Sequence, residues 1–215
     1  MKFVEILDGG TVVRTSKNIR FTADPLLLAK FARHRAHDTC LDIGTGCGII
    51  ILWLCDRGLK GQSMAIDISD EACGLVSAGI ESSGIDNVAV LKADARTYSG
   101  GPYSLIVCNP PYYKQDSGKR SPDPYRDISR TDSLFTLSDM AECIARNLAP
   151  DGRACFCIPP ERYTDAEEAL KANGLYVSRK TLVYNNKDPQ DPRLLLIEAV
   201  KDPGTSTITD SITEN

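Results

Sequence analysis

Short apolar runs alternate along this chain with longer stretches whose apolar residues recur at helical spacing. The runs predict buried strands, and the stretches predict amphipathic helices. The predicted strands span residues 39–43, 63–67, 88–92, 103–108, 153–158, 175–184 and 193–200, and the predicted helices span residues 49–57, 71–83, 135–148 and 160–173. Helices separate most of the strands, but none is predicted between residues 92 and 103, and the last two strands also follow one another without a helix. We therefore predict an α/β fold with a Rossmann-like sheet of about seven strands, mostly parallel with an antiparallel last strand, and helices on both faces.

Two segments flank the predicted sheet. Residues 3–7 and 11–14 alternate loosely around a Gly-Gly pair and predict a hairpin. Further along, Asp24 and Pro25 predict the start of a helix, with Asp24 as its N-cap and Pro25 at its first position. The tail is rich in Thr, Ser and Asp without a core pattern, so we expect it to be poorly ordered. The predicted parts are a cap segment (1–37), a sheet domain (38–201) and a disordered tail (202–215).

A glycine-rich turn follows the first strand of the predicted sheet. Asp42 stands at the carboxyl end of the strand, glycines follow at 44, 46 and 48, and a helix begins directly afterwards. Glycines let the backbone turn sharply and approach a ligand, while the helix amino terminus offers unpaired N–H groups. About 20 residues past Gly46, the next strand ends in Asp67, where a carboxylate can accept hydrogen bonds from ribose hydroxyls. This combination favours a nucleotide-like ligand.

Polar side chains stand at the ends of four predicted strands, namely Asp42, Asp67, Asp94 and Asn109. The carboxyl ends of parallel strands lie along one edge of a sheet, so these side chains should converge on one crevice. A carboxylate at position 94 could take the amino group of an adenine ring. Its alternative role is to cap a short helical turn.

The segment Asn109-Pro110-Pro111-Tyr112 leaves a buried strand in an unusual way. The prolines fix the backbone and remove two donors, while their carbonyls stay available as acceptors. The Asn109 side-chain oxygen and the Pro110 carbonyl could accept both N–H bonds of an exocyclic amine, and Tyr112 offers a face on which a planar group could stack. The alternative is a tight turn that caps the strand.

A long polar connection, residues 113–134, follows this segment without helical or strand periodicity. Connections of this length in a compact domain are usually functional or disordered. Tyr113, Lys114, Lys119 and Arg120 combine aromatic and basic groups, which suits a lid over a nucleic acid or another substrate. The near balance of basic and acidic residues leaves a plain mobile loop as the alternative.

The composition indicates a globular protein, with 42% hydrophobic and 25% charged residues. A net charge of −4 does not favour a polyanionic partner. Basic residues outnumber acidic ones in residues 1–37, however, and the reverse holds in residues 38–108. This asymmetry is compatible with a local phosphate-binding face, and equally with a solvated surface.

Cysteine usage and the absence of long apolar runs indicate where the protein works. The eight cysteines lie mostly inside apolar runs and lack metal-ligand spacing, so we expect reduced core residues and no metal. The amino terminus lacks an apolar signal segment, and no run reaches the ~18 apolar residues of a membrane span. We therefore expect a cytoplasmic protein without membrane contact. The sequence leaves the oligomeric state open, and a monomer is the favoured expectation.

The glycine turn, Asp67, Asp94 and the Asn-Pro-Pro-Tyr segment resemble, in order and spacing, the class I S-adenosylmethionine-dependent methyltransferases that act on amines. With residues 21–29 and the ending at 194–201, the chain is similar to bacterial tRNA adenine-N6 methyltransferases acting on adenosine 37 of a valine tRNA. Cys47 departs from the pattern, since a small Ser, Thr or Gly is commoner there. The resemblance covers the chain to about residue 201 and implies the seven-stranded methyltransferase sheet.

The resemblance implies S-adenosyl-L-methionine as the methyl donor and tRNA as the partner. The glycine turn would hold the methionine part of the donor, Asp67 its ribose and Asp94 its adenine. The implied donor-binding residues are Asp42, Gly44, Thr45, Gly46, Gly48, Asp67, Ile68, Asp94, Ala95 and Asn109; the implied catalytic residues are Asn109, Pro110, Pro111 and Tyr112; and the implied substrate-binding residues are Tyr112, Tyr113, Lys114, Lys119 and Arg120.

Other functions stay open at this point. A protein glutamine methyltransferase or an rRNA guanine-N2 methyltransferase would also present an amine to this site, although the former usually carries an additional amino-terminal helical domain. A nicotinamide-dependent oxidoreductase would use the glycine turn for pyrophosphate but leaves Asn109-Pro110 unexplained. A non-catalytic RNA-binding module would bind RNA and no donor. Hydrolysis through histidine is disfavoured, because the two histidines both lie in the cap segment.

Overall fold

A computed structural model describes residues 2–110, 135–185, 188–204 and 206–214. Apolar runs and helical periodicity become strands and helices much as their patterns predict. In chain order, the elements are β1 (Lys2–Ile6), β2 (Val12–Ser16), α1 (Ala23–Phe31), β3 (Cys40–Ile43), α2 (Ile49–Asp56), β4 (Ser63–Asp67), α3 (Asp70–Ser83), β5 (Val88–Lys92), β6 (Tyr103–Cys108), α4 (Leu137–Asn147), β7 (Leu148–Ile158), a 3-10 turn (Pro160–Arg162), α5 (Tyr163–Ala172), β8 (Tyr176–Asn185), β9 (Asp188–Val200) and β10 (Ile208–Glu214).

The main sheet has eight strands in the order β10-β8-β9-β7-β6-β3-β4-β5. Strands β5, β4, β3, β6 and β7 are parallel, whereas β9 lies antiparallel between β7 and β8. Strands joined by crossover helices run parallel, while β8 and β9 are joined directly and form an antiparallel pair. The predicted α/β fold, with a mostly parallel sheet and an antiparallel strand near its end, is confirmed.

The tail differs from its prediction. Residues 208–214 form β10, which pairs in parallel with β8 at the edge of the sheet. The prediction of a disordered tail relied on the lack of a core pattern, but an edge strand needs backbone partners rather than buried side chains. Its Ile and Thr residues favour extended backbone, and Ile208 and Ile212 remain exposed. The sheet therefore has one strand more than expected.

Helices cover both faces of the sheet and enclose two apolar cores. Helices α1, α2 and α3 pack on one face, where Ile51, Leu52 and Leu75 are buried. Helices α4 and α5 pack on the other face around Phe156 and Ile144. Helix α2 is apolar nearly all round, as expected for a helix that lies between the sheet and the amino-terminal segment.

The amino-terminal hairpin β1–β2 packs against α2 and α3. The Asp56 carboxylate accepts hydrogen bonds from the backbone N–H groups of Gly9 and Thr11, at 3.0 Å each. Burial opposes the charge on Asp56, but these hydrogen bonds hold its pKa below the usual range. The predicted hairpin is thus present and fixed to the domain.

The start of α1 corrects one prediction. Its N-cap is Thr22, and Asp24 lies inside the first turn. The Asp24 carboxylate forms an ion pair with Arg193 on β9, at 2.7 Å. Asp24 therefore pairs with Arg193, which is distant in sequence, instead of capping the helix. Its carboxylate still lies at the positive end of the helix dipole.

Candidate active site at the carboxyl ends of the strands

The glycine turn between β3 and α2 has the backbone that its sequence predicts. Gly44, Gly46 and Gly48 have φ values of 66°, 58° and 77°, in the left-handed region that favours glycine. A Cβ on Gly44 would meet no atom within 4 Å, whereas one on Gly48 would lie 2.9 Å from a methyl group of Val76. The turn therefore leaves open space at Gly44 and packs tightly against α3 at Gly48.

Asp42, at the end of β3, is a buried carboxyl group with an incomplete set of partners. Its side chain is buried, with 1% of the residue exposed, and its Oδ2 accepts a 2.7 Å hydrogen bond from the Thr45 hydroxyl. Among the described residues, its Oδ1 has no hydrogen-bond partner. Burial raises the pKa of Asp42 to about 7, although the Thr45 hydroxyl and the nearby Ile51 N–H lower it. A buried oxygen without a partner is a place where a ligand group could bind.

Asp67, at the end of β4, ties the glycine turn to the next strand. Its two carboxylate oxygens accept from the backbone N–H groups of Gly46 and Ser69, at 2.9 Å each. The neighbouring Ile68 is 60% exposed, which is unusual for a large apolar side chain. A half-buried carboxylate beside an exposed apolar surface suits a ribose and an adjoining planar base.

Asp94 follows β5 and adopts the alternative role stated for it above. Its carbonyl accepts from the N–H groups of Thr97 and Tyr98, and its side chain accepts from the N–H of Arg96, so it caps a short turn. Both carboxylate oxygens also bind the Arg96 guanidinium. This pairing holds the pKa of Asp94 below its usual value. The capping role does not exclude a contact between Asp94 and an adenine ring, and this contact stays a prediction. The contact of the half-buried Ala95 with the adenine also stays a prediction.

Asn109 and Pro110 lie directly after β6. Pro110 is buried and Asn109 is half-buried, and the Asn109 Oδ1 accepts a hydrogen bond from the Cys157 thiol at 3.1 Å. Cys157 lies on β7, so the neighbouring strand fixes the carboxamide. The other predicted residues of this region lie outside the described residues: Pro111, Tyr112, Tyr113, Lys114, Lys119 and Arg120.

A cavity of about 690 Å³ joins the glycine turn to Asn109 and Pro110. Asp67 and Asp94 stand at the ends of the adjacent strands β4 and β5 but are outside the described lining of this cavity. The predicted crevice is therefore one continuous edge of the sheet, and among the described residues the part at β3 and β6 lines this cavity.

Besides Cys47, Ile49 and Ile50 next to the glycine turn, the lining includes residues that the sequence did not predict as site residues. These are Arg20, Phe21, Thr22, Asp24 and Pro25 before and within α1, Pro159, Pro160 and Glu161 after β7, and Asp191, Pro192, Arg193 and Leu194 on β9. The motif-like stretch at residues 21–29 was the available signal for the first group. Leu194 belongs to the ending at 194–201 that carried part of the resemblance, but Asp191, Pro192 and Arg193 carry no such signal, because only tertiary structure brings them here.

Two further findings concern metals and membranes. In residues 2–110 and the later described segments, no three His, Cys, Asp or Glu side chains are grouped as metal ligands would be. No helix in the same residues is long and apolar enough to cross a membrane.

Comparison with protein families relates this geometry to known proteins. Residues 18–121 match the methyltransferase small domain, a range that contains the glycine turn and Asn109. A Parabacteroides distasonis protein named tRNA1(Val) (adenine(37)-N6)-methyltransferase is 32% identical over 177 residues, which cover 80% of this chain and 73% of that protein. A Tolumonas auensis protein of the same name is 29% identical over 182 residues, covering 84% and 76%.

Solved structures share the fold. A Listeria monocytogenes protein assigned to the class I S-adenosylmethionine-dependent methyltransferases aligns with a TM-score of 0.66 at 13% identity, covering 92% of this chain and 67% of that one. A ribosomal protein L11 methylase from Lactobacillus delbrueckii aligns with a TM-score of 0.56 at 22% identity, covering 81% and 75%. At these identities the alignments establish the architecture alone.

Proposed function

The chain belongs to the S-adenosylmethionine-dependent methyltransferases, and we propose that it methylates the N6 amine of an adenine in tRNA, namely adenosine 37 of a valine tRNA. The names of its relatives support this substrate. The observation that carries the proposal is the position of Asn109 and Pro110, which line the same cavity as the glycine turn. The amine that accepts the methyl group and the molecule that donates it would thus lie next to each other at the ends of β3 and β6.

The residues at this edge fit the methyl donor. S-adenosylmethionine supplies a methyl group that is activated by its sulfonium centre. The open space at Gly44 and the unpartnered Asp42 Oδ1 suit its methionine part, whose ammonium group needs an acceptor. Asp67 would accept from the ribose hydroxyls, with the exposed Ile68 against the base. Asp94 and Ala95, after β5, would contact the adenine edge.

The acceptor amine would bind at Asn109. Its Oδ1 and the Pro110 carbonyl would accept the two N–H bonds of the exocyclic amine, which favours a pyramidal nitrogen and directs its lone pair toward the methyl group. Orientation of this kind supplies a large part of the rate. The methylated nitrogen is a cation and loses its proton readily, so no histidine or lysine base is required. Tyr112 would stack on the target base, which an anticodon loop presents partly unstacked.

Two RNA transcripts and two protein variants test the proposal. A valine tRNA transcript with adenosine 37 should accept labelled methyl groups from S-adenosylmethionine, and the same transcript with guanosine 37 should not. Asn109→Ala should lower the turnover by about 100-fold or more, as removal of a group that orients or stabilises the transition state does. Asn173→Ala is the matched control, because within the described part of the chain Asn173 hydrogen-bonds only to its own helix end. Equal turnover in Asn109→Ala and wild type would refute the role of Asn109.

A further inference from the structure

A second pocket lies at the other end of α1 from the cavity. It has a volume of about 360 Å³, and Arg33, Arg35, Arg153 and Arg179 line it together with Glu198. We call it the arginine pocket. Asp24 and Pro25, in the first turn of α1, line the large cavity, whereas Phe31 and the residues after it contact the arginine pocket.

The distance between the two sites follows from the strand register. Arg153 on β7 is opposite Leu105 on β6, and Asn109 lies four residues beyond Leu105. At a rise of about 3.3 Å per residue, the arginine pocket is roughly 13 Å from Asn109 along the strand direction. One extended polynucleotide segment can cover that distance. The two sites can therefore bind the same molecule.

Two of the four arginines are held in place by buried contacts. Arg153 forms an ion pair with Asp38 at 2.6 Å and donates to the Arg33 carbonyl at 3.1 Å. Arg179 forms an ion pair with Glu198 at 2.8 Å, and its guanidinium lies 3.7 Å from the centre of the Phe31 ring. These two side chains are held rigidly in the pocket, and the carboxylates of Asp38 and Glu198 neutralise their charges.

The other two arginines leave the pocket with an excess of positive charge. Arg33 and Arg35 are exposed, and neither guanidinium has a hydrogen-bond or ion-pair partner among the residues that the structure describes. Arg33 has a φ of 45°, the only left-handed backbone of a non-glycine residue in the described ranges. Its carbonyl is held in this conformation by Arg153. A guanidinium fork without a partner matches the geometry of a phosphate group.

We propose that the arginine pocket binds a backbone phosphate of the RNA whose adenine occupies the large cavity. This inference depends on the proposed function, because it takes the substrate to be RNA. The pocket adds affinity and register without reading sequence, as phosphate contacts do. It gives the basic amino-terminal segment a defined role, since Arg33 and Arg35 belong to it.

Removal of the two unpaired charges tests the proposal. Arg33→Asn keeps a residue that tolerates the left-handed backbone, and Arg35→Ala truncates an exposed side chain. Binding of unmodified tRNA to the double variant should be about tenfold weaker, with a salt dependence of log Kd that is lower by roughly 0.7–0.9, as expected for one lost phosphate contact. The affinity for S-adenosylmethionine and the turnover at saturating tRNA should be those of the wild type.

The matched control is Lys171→Ala, which removes an exposed cation on α5, across the sheet from the arginine pocket. It should leave the tRNA affinity and its salt dependence unchanged. Melting temperatures identify any variant that fails to fold, and Arg35→Ala alone then carries the test. If the wild type methylates tRNA but the double variant binds it with unchanged Kd and salt dependence, the phosphate site is refuted and the proposed function stands. If the wild type methylates no RNA, both proposals fail.

Discussion

The buried carboxyl group of Asp42 predicts an unusual pH dependence of stability. An unfolded chain ionises Asp42 near its ordinary pKa of 3.8, whereas the folded protein keeps it protonated up to about pH 7. Between these values the folded state binds more protons than the unfolded state, so the free energy of unfolding falls as the pH rises. Above about pH 7 both states are ionised, and the effect is constant. Replacement by asparagine removes the titration.

The magnitude follows from the two pKa values. With 3.8 and about 7, the destabilisation by Asp42 is roughly 2 kcal/mol at pH 5 and roughly 4 kcal/mol at pH 8. The expected loss between these pH values is therefore about 2–3 kcal/mol. Asp38 and Asp94 do not change the free energy of unfolding between pH 5 and pH 8. Their pKa values are lowered in the folded protein, so their ionised forms stabilise the fold above about pH 4, and this stabilisation is lost only in stronger acid.

Urea unfolding of the donor-free protein at pH 5 and pH 8 measures this effect. Relative to wild type, Asp42→Asn should gain about 2–3 kcal/mol of stability on going from pH 5 to pH 8. The Thr45 hydroxyl still has an oxygen acceptor in the variant. Asp8→Asn, at an exposed carboxylate, is the control and should follow the wild type. If wild type and Asp42→Asn differ by the same amount at both pH values, within ~0.5 kcal/mol, the reasoning is refuted.

Three further predictions concern the same edge of the sheet. Asp42 is close to half-ionised at pH 7, so binding of the donor's ammonium group should displace protons from it. The binding enthalpy measured by calorimetry at pH 7 should therefore depend on the ionisation enthalpy of the buffer. Identical enthalpies in phosphate and Tris would contradict the contact between Asp42 and the ammonium group. The Cys157 thiol orients the Asn109 carboxamide, so Cys157→Ala should lower kcat by about 3–10-fold with little change in KM. Cys157→Ser should restore kcat, because its hydroxyl can also donate a hydrogen bond. A serine variant as slow as the alanine variant would exclude this orienting role of Cys157. Gly48→Ala should cost about 1–3 kcal/mol of stability in urea unfolding, because its backbone φ is 77° and the new methyl group would lie 2.9 Å from Val76. An unchanged urea midpoint would show that α3 can shift to make room for the methyl group.

The sequence predicts the strands around the site well for a physical reason. Strands β4 and β6 have the predicted bounds, because a buried parallel strand needs a continuous apolar run that ends where the chain turns. Strand β5 also has its predicted bounds, although it lies at the edge of the sheet and is mostly exposed. The positions of Asp67 and Asn109 follow from those bounds. The edge strand β10 has no such run, since its stability comes from backbone pairing with β8, and a pattern of buried residues could not reveal it.

Side-chain partners were harder to predict than strand ends. The sequence places Asp94 at the end of β5, but it does not reveal that Arg96 and a turn bind both carboxylate oxygens. Nor does it reveal that Phe21 and Arg193, from the two ends of the chain, line the cavity. Such contacts depend on packing between segments distant in sequence. Local spacing predicts where the polar groups stand and leaves their partners open.

Methylation of total tRNA that lacks modifications is the most direct test of the proposed reaction. The tRNA is incubated with the protein and labelled S-adenosylmethionine, digested to nucleosides and analysed by mass spectrometry. The account predicts labelled N6-methyladenosine, with the label confined to valine tRNA when single species are isolated. Labelled N2-methylguanosine, or tight binding of the donor with no labelled RNA, would contradict it and favour an rRNA or protein-amide substrate instead.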